Sequence, residues 1–320
     1  MECTLKQISE IKKSEIVGTQ DIKIKNLAFD SRTIYSTKNT AFLAISTKKN
    51  SGQKYIETVI EKGIDTIITE NKIDNSSINQ IITENSVEFL QTLAKYHFEH
   101  SHINSIGITG SNGKTILKEW LYQCLSNEFV TVKSPKSFNS QIGLPLSLLQ
   151  IDKKHELGIF EVGISKPGEM EKQENVFHPK IGLLTHIGSA HSANFSSEEE
   201  LINEKLKLFK QSEIIFFNSD NELTDKLLNQ LYSSKKLISY GLKSNNDITI
   251  ISDVNDRTQD IKIKYFEEEF SLPINQRDEA TLTNVLALIG ILKEFNLPNL
   301  QIKEKIDALK AIEMRLESIE

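Results

Sequence analysis

Cysteine is scarce in this 320-residue chain. Its two copies, Cys3 and Cys124, have no metal-ligand or redox spacing and read as free thiols in a reducing compartment. Long apolar runs are also missing, and no uninterrupted stretch approaches the length of a membrane span. Residues 1–30 are dotted with charge and lack the apolar core of a signal peptide. Basic charge is not in excess either. With 38 Lys and Arg against 44 Asp and Glu, the net charge is −6, which argues against broad nucleic-acid binding. The chain has no internal repeat and no low-complexity tract. These absences leave an ordinary globular protein of two or three domains, expected in the cytoplasm, with no nucleic-acid partner and no membrane insertion.

What is present is concentrated at GITGSNGKT, from Gly107 to Thr115. A strand-like run, Ile103 to Ile108, enters it and a helix-like run, Ile116 to Leu125, leaves it. Glycines let the backbone curl so that several N–H groups face one anion at the positive end of a helix. Lys114 supplies a point charge for terminal phosphates and Thr115 a hydroxyl for magnesium. The stretch Gly110, Ser111, Asn112, Gly113, Lys114 and Thr115 is therefore the expected nucleoside triphosphate cradle. Its spacing departs from the common G-x-x-x-x-G-K-[ST], since Ile108 stands where the first glycine would fall.

Around this loop the pattern alternates. Strand-like runs at Ile103–Ile108, Leu157–Val162, Ile181–Thr185 and Ile214–Phe217 are separated by helical runs at Ile116–Leu125, Glu169–Val176 and Leu201–Phe209. Such alternation predicts an α/β fold with a mostly parallel, doubly wound sheet. Residues 247–272 have period-two character and predict a hairpin or meander. Two helical runs, Thr283–Lys293 and Ile302–Ala311, follow. Residues 1–100 read as a smaller α/β unit, with strands at Thr40–Ile45 and Asp65–Ile68 and helices at Tyr55–Lys62 and Val87–His97. The polar segment Ser101–Ser105 is the predicted boundary.

Ligands of doubly wound sheets gather at the carboxyl ends of the strands. Glu161 closes one such strand and is placed to hold magnesium. His186 and His191 lie near another strand end; spacing alone favours a structural role for either. Lys205 falls in the middle of the apolar helix face made by Leu201, Ile202, Leu206, Leu208 and Phe209. There it either snorkels to water or loses its proton, and a neutral amine can take up carbon dioxide as an anionic carbamate. The segment Lys136–Leu149 places polar groups ahead of an apolar helix start. Asn284 could reach a nucleotide base.

GITGSNGKT resembles the nucleotide loop of the Mur ligases, the ATP-dependent enzymes that build the peptidoglycan stem peptide. SFNSQIGLPLSLL resembles the N-x-N-N-x-I-G-x-P motif of the branch that adds D-alanyl-D-alanine, with Ser137 and Ser140 in place of two asparagines. EVGISKPGEM, around Glu161, and PKIGLLTHIGSAH with the later Lys205 resemble two further family segments. FDSRT (Phe29–Thr33) with TAFLAI (Thr40–Ile45) resembles the first-domain signature, and MRLE (Met314–Glu317) the end of the central domain. Three departures stand out. Ser51-Gly52-Gln53 replaces D-G-H, His186 replaces an asparagine, and Ala280-Thr281 replaces H-N ahead of the adenine asparagine. Folylpolyglutamate synthetases share a related loop but lack a first domain with a motif like FDSRT.

The resemblance implies a role for each matching residue. Lys114 and Thr115 would bind ATP and its Mg2+. Thr115, Glu161, His191 and carbamylated Lys205 would form the metal sites, with Lys114, Glu161, His191 and Lys205 as the catalytic group. Asn284 would contact adenine. Asp30, Ser31 and Arg32 would bind the uridine-diphosphate end of a UDP-N-acetylmuramoyl-tripeptide, and Asn139 would lie near its peptide end. The second substrate would be D-Ala-D-Ala, joined through an acyl phosphate. Domains are expected at 1–100 (UDP-substrate binding) and 101–312 (ATP binding), with 313–320 starting a linker. The family's third, Rossmann-like domain has no counterpart here, so the chain is expected to be an inactive, monomeric fragment. The pattern around SPKSFNSQIG also resembles ligases fused ahead of an alanine racemase, in which pyridoxal phosphate would belong to that further domain. A non-catalytic nucleotide-binding module is the competing reading of another class.

Overall fold

A computed structural model describes residues 3–48, 50–188, 194–252, 254, 260–274 and 276–309. They pack as two units, residues 1–102 with 141–153, and residues 103–140 with 154–320.

In the first unit, β1 (Cys3–Thr4) pairs antiparallel with β3 (Lys23–Ile24). Helix α1 (Leu5–Ile11) starts with a reciprocal capping box between Thr4 and Gln7, because two orphan N–H groups find side-chain oxygens there. The main sheet has five strands in the order β2 (Glu15–Val17), β7 (Asn79–Ile82), β6 (Thr66–Thr69), β5 (Thr40–Leu43), β4 (Asn26–Ala28). Only the β2–β7 pair is antiparallel. Strands β5 and β6 are buried along their whole length, as their unbroken apolar character requires. Helices α2 (Ile56–Glu61) and α3 (Ser86–Glu99) belong here, and the Asn85 side chain caps α3 by accepting from the Val87 and Glu88 amides. Phe42, Ala44, Ile56, Val59, Ile64, Ile67 and Ile78 form the core.

The second unit is built on β8 (Asn104–Thr109) and the helix that follows its loop, α4 (Lys114–Leu125). After β9 (Thr131–Lys133) the chain departs to α5 (Gly143–Leu148), which packs with α3 in the first unit. There Gln91 donates to the Gln141 carbonyl at 3.0 Å and the His97 ring meets the Ile151 carbonyl at 2.7 Å. The chain returns through β10 (Leu157–Glu161), α6 (Glu169–Glu174), β11 (Ile181–Leu184), α7 (Glu198–Leu206), β12 (Ile214–Asn218), α8 (Glu222–Tyr232), β13 (Lys236–Tyr240) and β14 (Ile248–Ile250). Strands β15 (Ile261–Tyr265) and β16 (Glu268–Leu272) precede α9 (Glu279–Glu294) and α10 (Asn299–Asp307).

The nine strands lie in the order β9-β10-β8-β11-β12-β13-β14-β15-β16. All neighbouring pairs from β9 to β14 are parallel, and β14-β15-β16 is an antiparallel meander, the one predicted over residues 247–272. The α/β fold with a mostly parallel sheet is thus as predicted. Helix α9 is apolar on every side and buried from Leu282 to Leu292, packed beside α4 in the main core. Helix α8 and strand β13 were not anticipated. Register aligns Glu161 with Ile108, and Leu184 with Thr109. The carboxyl ends of β10, β8 and β11 therefore meet at one edge of the sheet, where the loop begins.

Candidate nucleotide and metal site

The helix after the loop starts at Lys114, two residues before the predicted Ile116, because Gly113 ends the loop as a left-handed N-cap with φ of +85°. Gly110 has φ of +146°. A Cβ there would lie 1.9 Å from the Thr185 hydroxyl oxygen, and one on Gly113 would lie 2.6 Å from Asn284 Oδ1. Both positions demand glycine for conformation and for space. The loop is tied down from β11's side. The Ser111 amide donates to the His186 carbonyl at 2.9 Å, Ser111 Oγ donates to the Gly188 carbonyl at 3.1 Å, and Thr185 Oγ1 donates to the Asn112 carbonyl at 2.6 Å. The first N–H groups of α4 have no carbonyl four residues back, so the loop presents donors at the positive end of a helix.

Glu161 is the hub of the polar cluster. It is buried, yet both carboxylate oxygens are held: Thr115 Oγ1 donates to Oε2 at 2.9 Å and Asn139 Nδ2 donates to Oε1 at 2.6 Å. Its own amide donates to Ser134 Oγ at 3.2 Å. Lys118 Nζ stands 4.0 Å from Oε2. A carboxylate and a hydroxyl 2.9 Å apart are hard oxygen donors of the type magnesium takes. Among the described residues there is no group of three or more His, Cys, Asp or Glu that could hold a metal ion, so such a cation would also need ligand oxygens.

Two amines converge under the loop. Lys114 Nζ donates to the Gly110 and Ser111 carbonyls at 2.8 and 3.0 Å, and Lys205 Nζ donates to the same Gly110 carbonyl at 2.9 Å. Lys205 is 1% exposed, so the snorkelling alternative fails: its amine does not reach water. Burial, followed by the nearby Lys114 charge, pushes the Lys205 amine down to about 7. Burial also lowers Lys114, partly opposed by Glu161. Two amines on one carbonyl leave the loop short of negative charge, which a polyphosphate would supply.

The other sequence-derived candidates are distributed as follows. Asn284 is buried on α9 against Gly113, beside the loop. Asn139 bonds directly to Glu161. His186 contributes its backbone carbonyl to the loop while its side chain is exposed. His191 lies outside the described residues. Asp30, Ser31 and Arg32 belong to the first unit, where Arg32 Nη2 lies 2.7 Å from Asp30 Oδ2 and Lys62 Nζ donates to the Ser31 carbonyl at 2.6 Å. Sequence reasoning passed over Lys118 and Thr185. Lys118 follows Thr115 by three residues and Lys114 by four, spacings that put all three on one side of a helix.

A parallel sheet with a Gly-Lys-Thr loop at its carboxyl edge, a helix opening on that loop and a buried carboxylate on its threonine define a P-loop-type nucleotide-binding protein. The Mur ligase middle domain model matches residues 108–292, and the chain belongs to the Mur ligase family. A Bacillus subtilis relative named UDP-N-acetylmuramoyl-tripeptide--D-alanyl-D-alanine ligase is 27% identical over 325 residues, covering 99% of this chain and 69% of its own. The crystal structure of MurF from Acinetobacter baumannii superposes with a TM-score of 0.87 at 20% identity, covering 100% of this chain and 71% of that one. A MurF ligase from Thermotoga maritima, solved in complex with ADP, superposes with a TM-score of 0.77 at 23% identity over 90% of this chain and 66% of that one. The chain thus spans about two thirds of the length of these proteins. Among the described residues no helix is long and apolar enough to cross a membrane.

Proposed function

We propose that this chain supplies the ATP-binding and UDP-substrate-binding parts of a ligase that adds D-Ala-D-Ala to UDP-N-acetylmuramoyl-tripeptide in peptidoglycan synthesis. Mur ligases are ATP-dependent amide-bond-forming enzymes, and the Bacillus subtilis relative carries that activity in its name. The observation that carries the reading is that one loop, Gly110 to Thr115, supplies both the Thr115 hydroxyl bonded to Glu161 and the Gly110 carbonyl that holds Lys114 and Lys205. Anion donors, a cation-holding oxygen pair and a buried amine with no carboxylate partner among the described residues lie at one loop and the strand ends around it.

In this mechanism Lys114 leaves the Gly110 and Ser111 carbonyls for the β- and γ-phosphates as ATP enters, and the α4 N–H groups bind phosphate oxygens. The tripeptide carboxylate attacks the γ-phosphorus, ADP departs, and an acyl phosphate forms. The D-Ala-D-Ala amine then attacks the acyl carbon and expels inorganic phosphate, leaving the new amide. Lys114 neutralises oxygen charge in both steps. Magnesium, when bound, neutralises phosphate charge, and Thr115, Glu161 and His191 would hold it. The Lys205 amine, uncharged above about pH 7, would add CO2 to its nitrogen and release a proton, giving a carbamate ligand for a second cation. Asn284 would contact adenine. Asp30, Ser31 and Arg32 would receive the uridine-diphosphate end, and Asn139 would lie near the peptide end. The protein is assigned to the cytoplasm as a monomer.

Calorimetry with ADP and Mg2+ tests the reading on this chain. Wild type should bind, and Lys114→Ala should weaken binding by about 100-fold, the scale of one lost charge-assisted phosphate contact in a desolvated loop. Equal affinity in both proteins would remove the loop from the phosphate site.

A further inference from the structure

Lys118 is fully buried on α4, one turn beyond the loop lysine. A buried ammonium is costly unless it is compensated, and an apolar side chain would fill the same space without that cost. Its contacts are specific. Nζ donates to the Lys136 carbonyl, lies 3.2 Å from Glu119 Oε1 and stands 4.0 Å from Glu161 Oε2. Lys136 has φ of +47°, a conformation that few non-glycine residues adopt. Three residues on, Asn139 donates to the other oxygen of Glu161. Glu119 is bridged in turn to Lys133, whose amine sits 4.2 Å from the centre of the Tyr122 ring. Charges therefore alternate outward from the site, in the order Glu161, Lys118, Glu119, Lys133.

We propose that Lys118 is a positioning residue that sets how tightly Glu161 and Thr115 hold a divalent cation. This inference rests on the preceding reading of that oxygen pair. Before the cation arrives, Lys118 offsets the Glu161 charge and clamps the Lys136–Asn139 turn that orients the carboxylate. Once the cation is bound, Lys118 opposes it. A unit charge about 4 Å from the carboxylate oxygen, with both side chains buried, is close enough to change cation affinity several-fold. Glu119 moderates the effect by taking up part of the Lys118 charge.

The two neighbours should act with opposite sign. Mn2+ binding followed by electron paramagnetic resonance, with and without ADP, reads this directly. Lys118→Met should tighten Mn2+ about fivefold, because the opposing charge is gone. Glu119→Gln should weaken it about threefold, because Lys118 then acts unmoderated. Damage to packing alone would weaken binding in both variants, so shifts in the same direction, or no shift in either, overturn the proposal. If Lys118→Met does not fold, Lys118→Gln, which also removes the charge, takes its place with the same expected tightening. A wild type that binds Mn2+ without ADP but takes up no nucleotide would sink the nucleotide reading and leave this comparison intact. A wild type that binds no Mn2+ at all overturns the proposal.

Discussion

The two units place their charged motifs in opposite environments. In the first, the Arg32 side chain is 86% exposed and its partner Asp30 27%. In the second, Lys118 and Glu161 are 0% and 2% exposed, and Lys205 is equally buried. Water screens the first pair and lets its members change partners freely. The second cluster is held by neighbouring protein atoms, and removing one member would strand another without solvent, at a typical cost of about 3–5 kcal/mol. The first pair can exchange its contacts with solvent or solute at little cost. The other is held in place by protein hydrogen bonds, the kind of preorganisation that the proposed function calls for.

The largest test of this contrast is at Lys205. In the native enzyme, Lys205→Ala should lower turnover by at least about 100-fold, since a first-sphere anion near the reacting phosphate would be lost. Bicarbonate should not restore activity, whereas formate or acetate should restore part of it by occupying the space of the carbamate. Full activity of the variant in plain buffer would show that the buried amine is only packing.

Much of this contrast was legible in sequence, and the remainder failed for identifiable reasons. The glycines of Gly110 to Thr115 marked a tight strand-to-helix loop, and the positive φ at Gly110 and Gly113 shows one there; that it binds phosphate remains part of the proposed function. Lys205 was marked by its place on an apolar helix face, which left snorkelling and burial open; the structure buries it. The Asn139–Glu161 bond was not legible, because it joins a turn and a strand end 22 residues apart. Lys118 had a signal in its spacing from Lys114 and Thr115, but helical spacing does not say which lysine on a mixed face goes inside. The assignment of residues 141–153 to the first unit depends on α5 meeting α3, a packing choice that local pattern does not encode. Helix α8 went unanticipated although its apolar positions do recur on one side; buried Leu227 and Leu228 sit among strongly polar neighbours.

A smaller effect concerns pH. The Lys205 amine sits at about 7 in the folded protein against 10.5 as its ordinary value. Below pH 7 it is protonated in both folded and unfolded chains, and the full cost of a buried charge falls on the folded state. Between about 7 and 10.5 the unfolded chain still binds the proton that the folded chain has released, so stability rises with pH. Lys205→Met removes this dependence. In CO2-free buffer the variant should have the higher melting temperature at pH 6, by several degrees, with the gap closing toward pH 10. A constant gap across that range would mean that the amine carries no buried charge.

The smallest effect belongs to the exposed motif. The Arg32 side chain and backbone amide, both bonded to Asp30, hold its carboxyl at about 2. A depressed carboxylate adds stability that is fully present above pH 3.8 and is lost as pH falls through 2. Arg32→Ala should therefore move the Asp30 titration upward, toward 3.8, in a carboxyl-detected NMR titration. Part of the depression should survive, since the Arg32 backbone amide bond at 2.9 Å remains in the variant. The melting temperature at pH 7 should fall only slightly, because the stability that goes with the lost depression is small for a pair whose guanidinium is already in water. A loss at pH 7 on the scale of a broken buried pair, about 3–5 kcal/mol, would mean that this pair is held as tightly as the buried cluster, and the contrast between a solvent-screened pair and a protein-held cluster would fail.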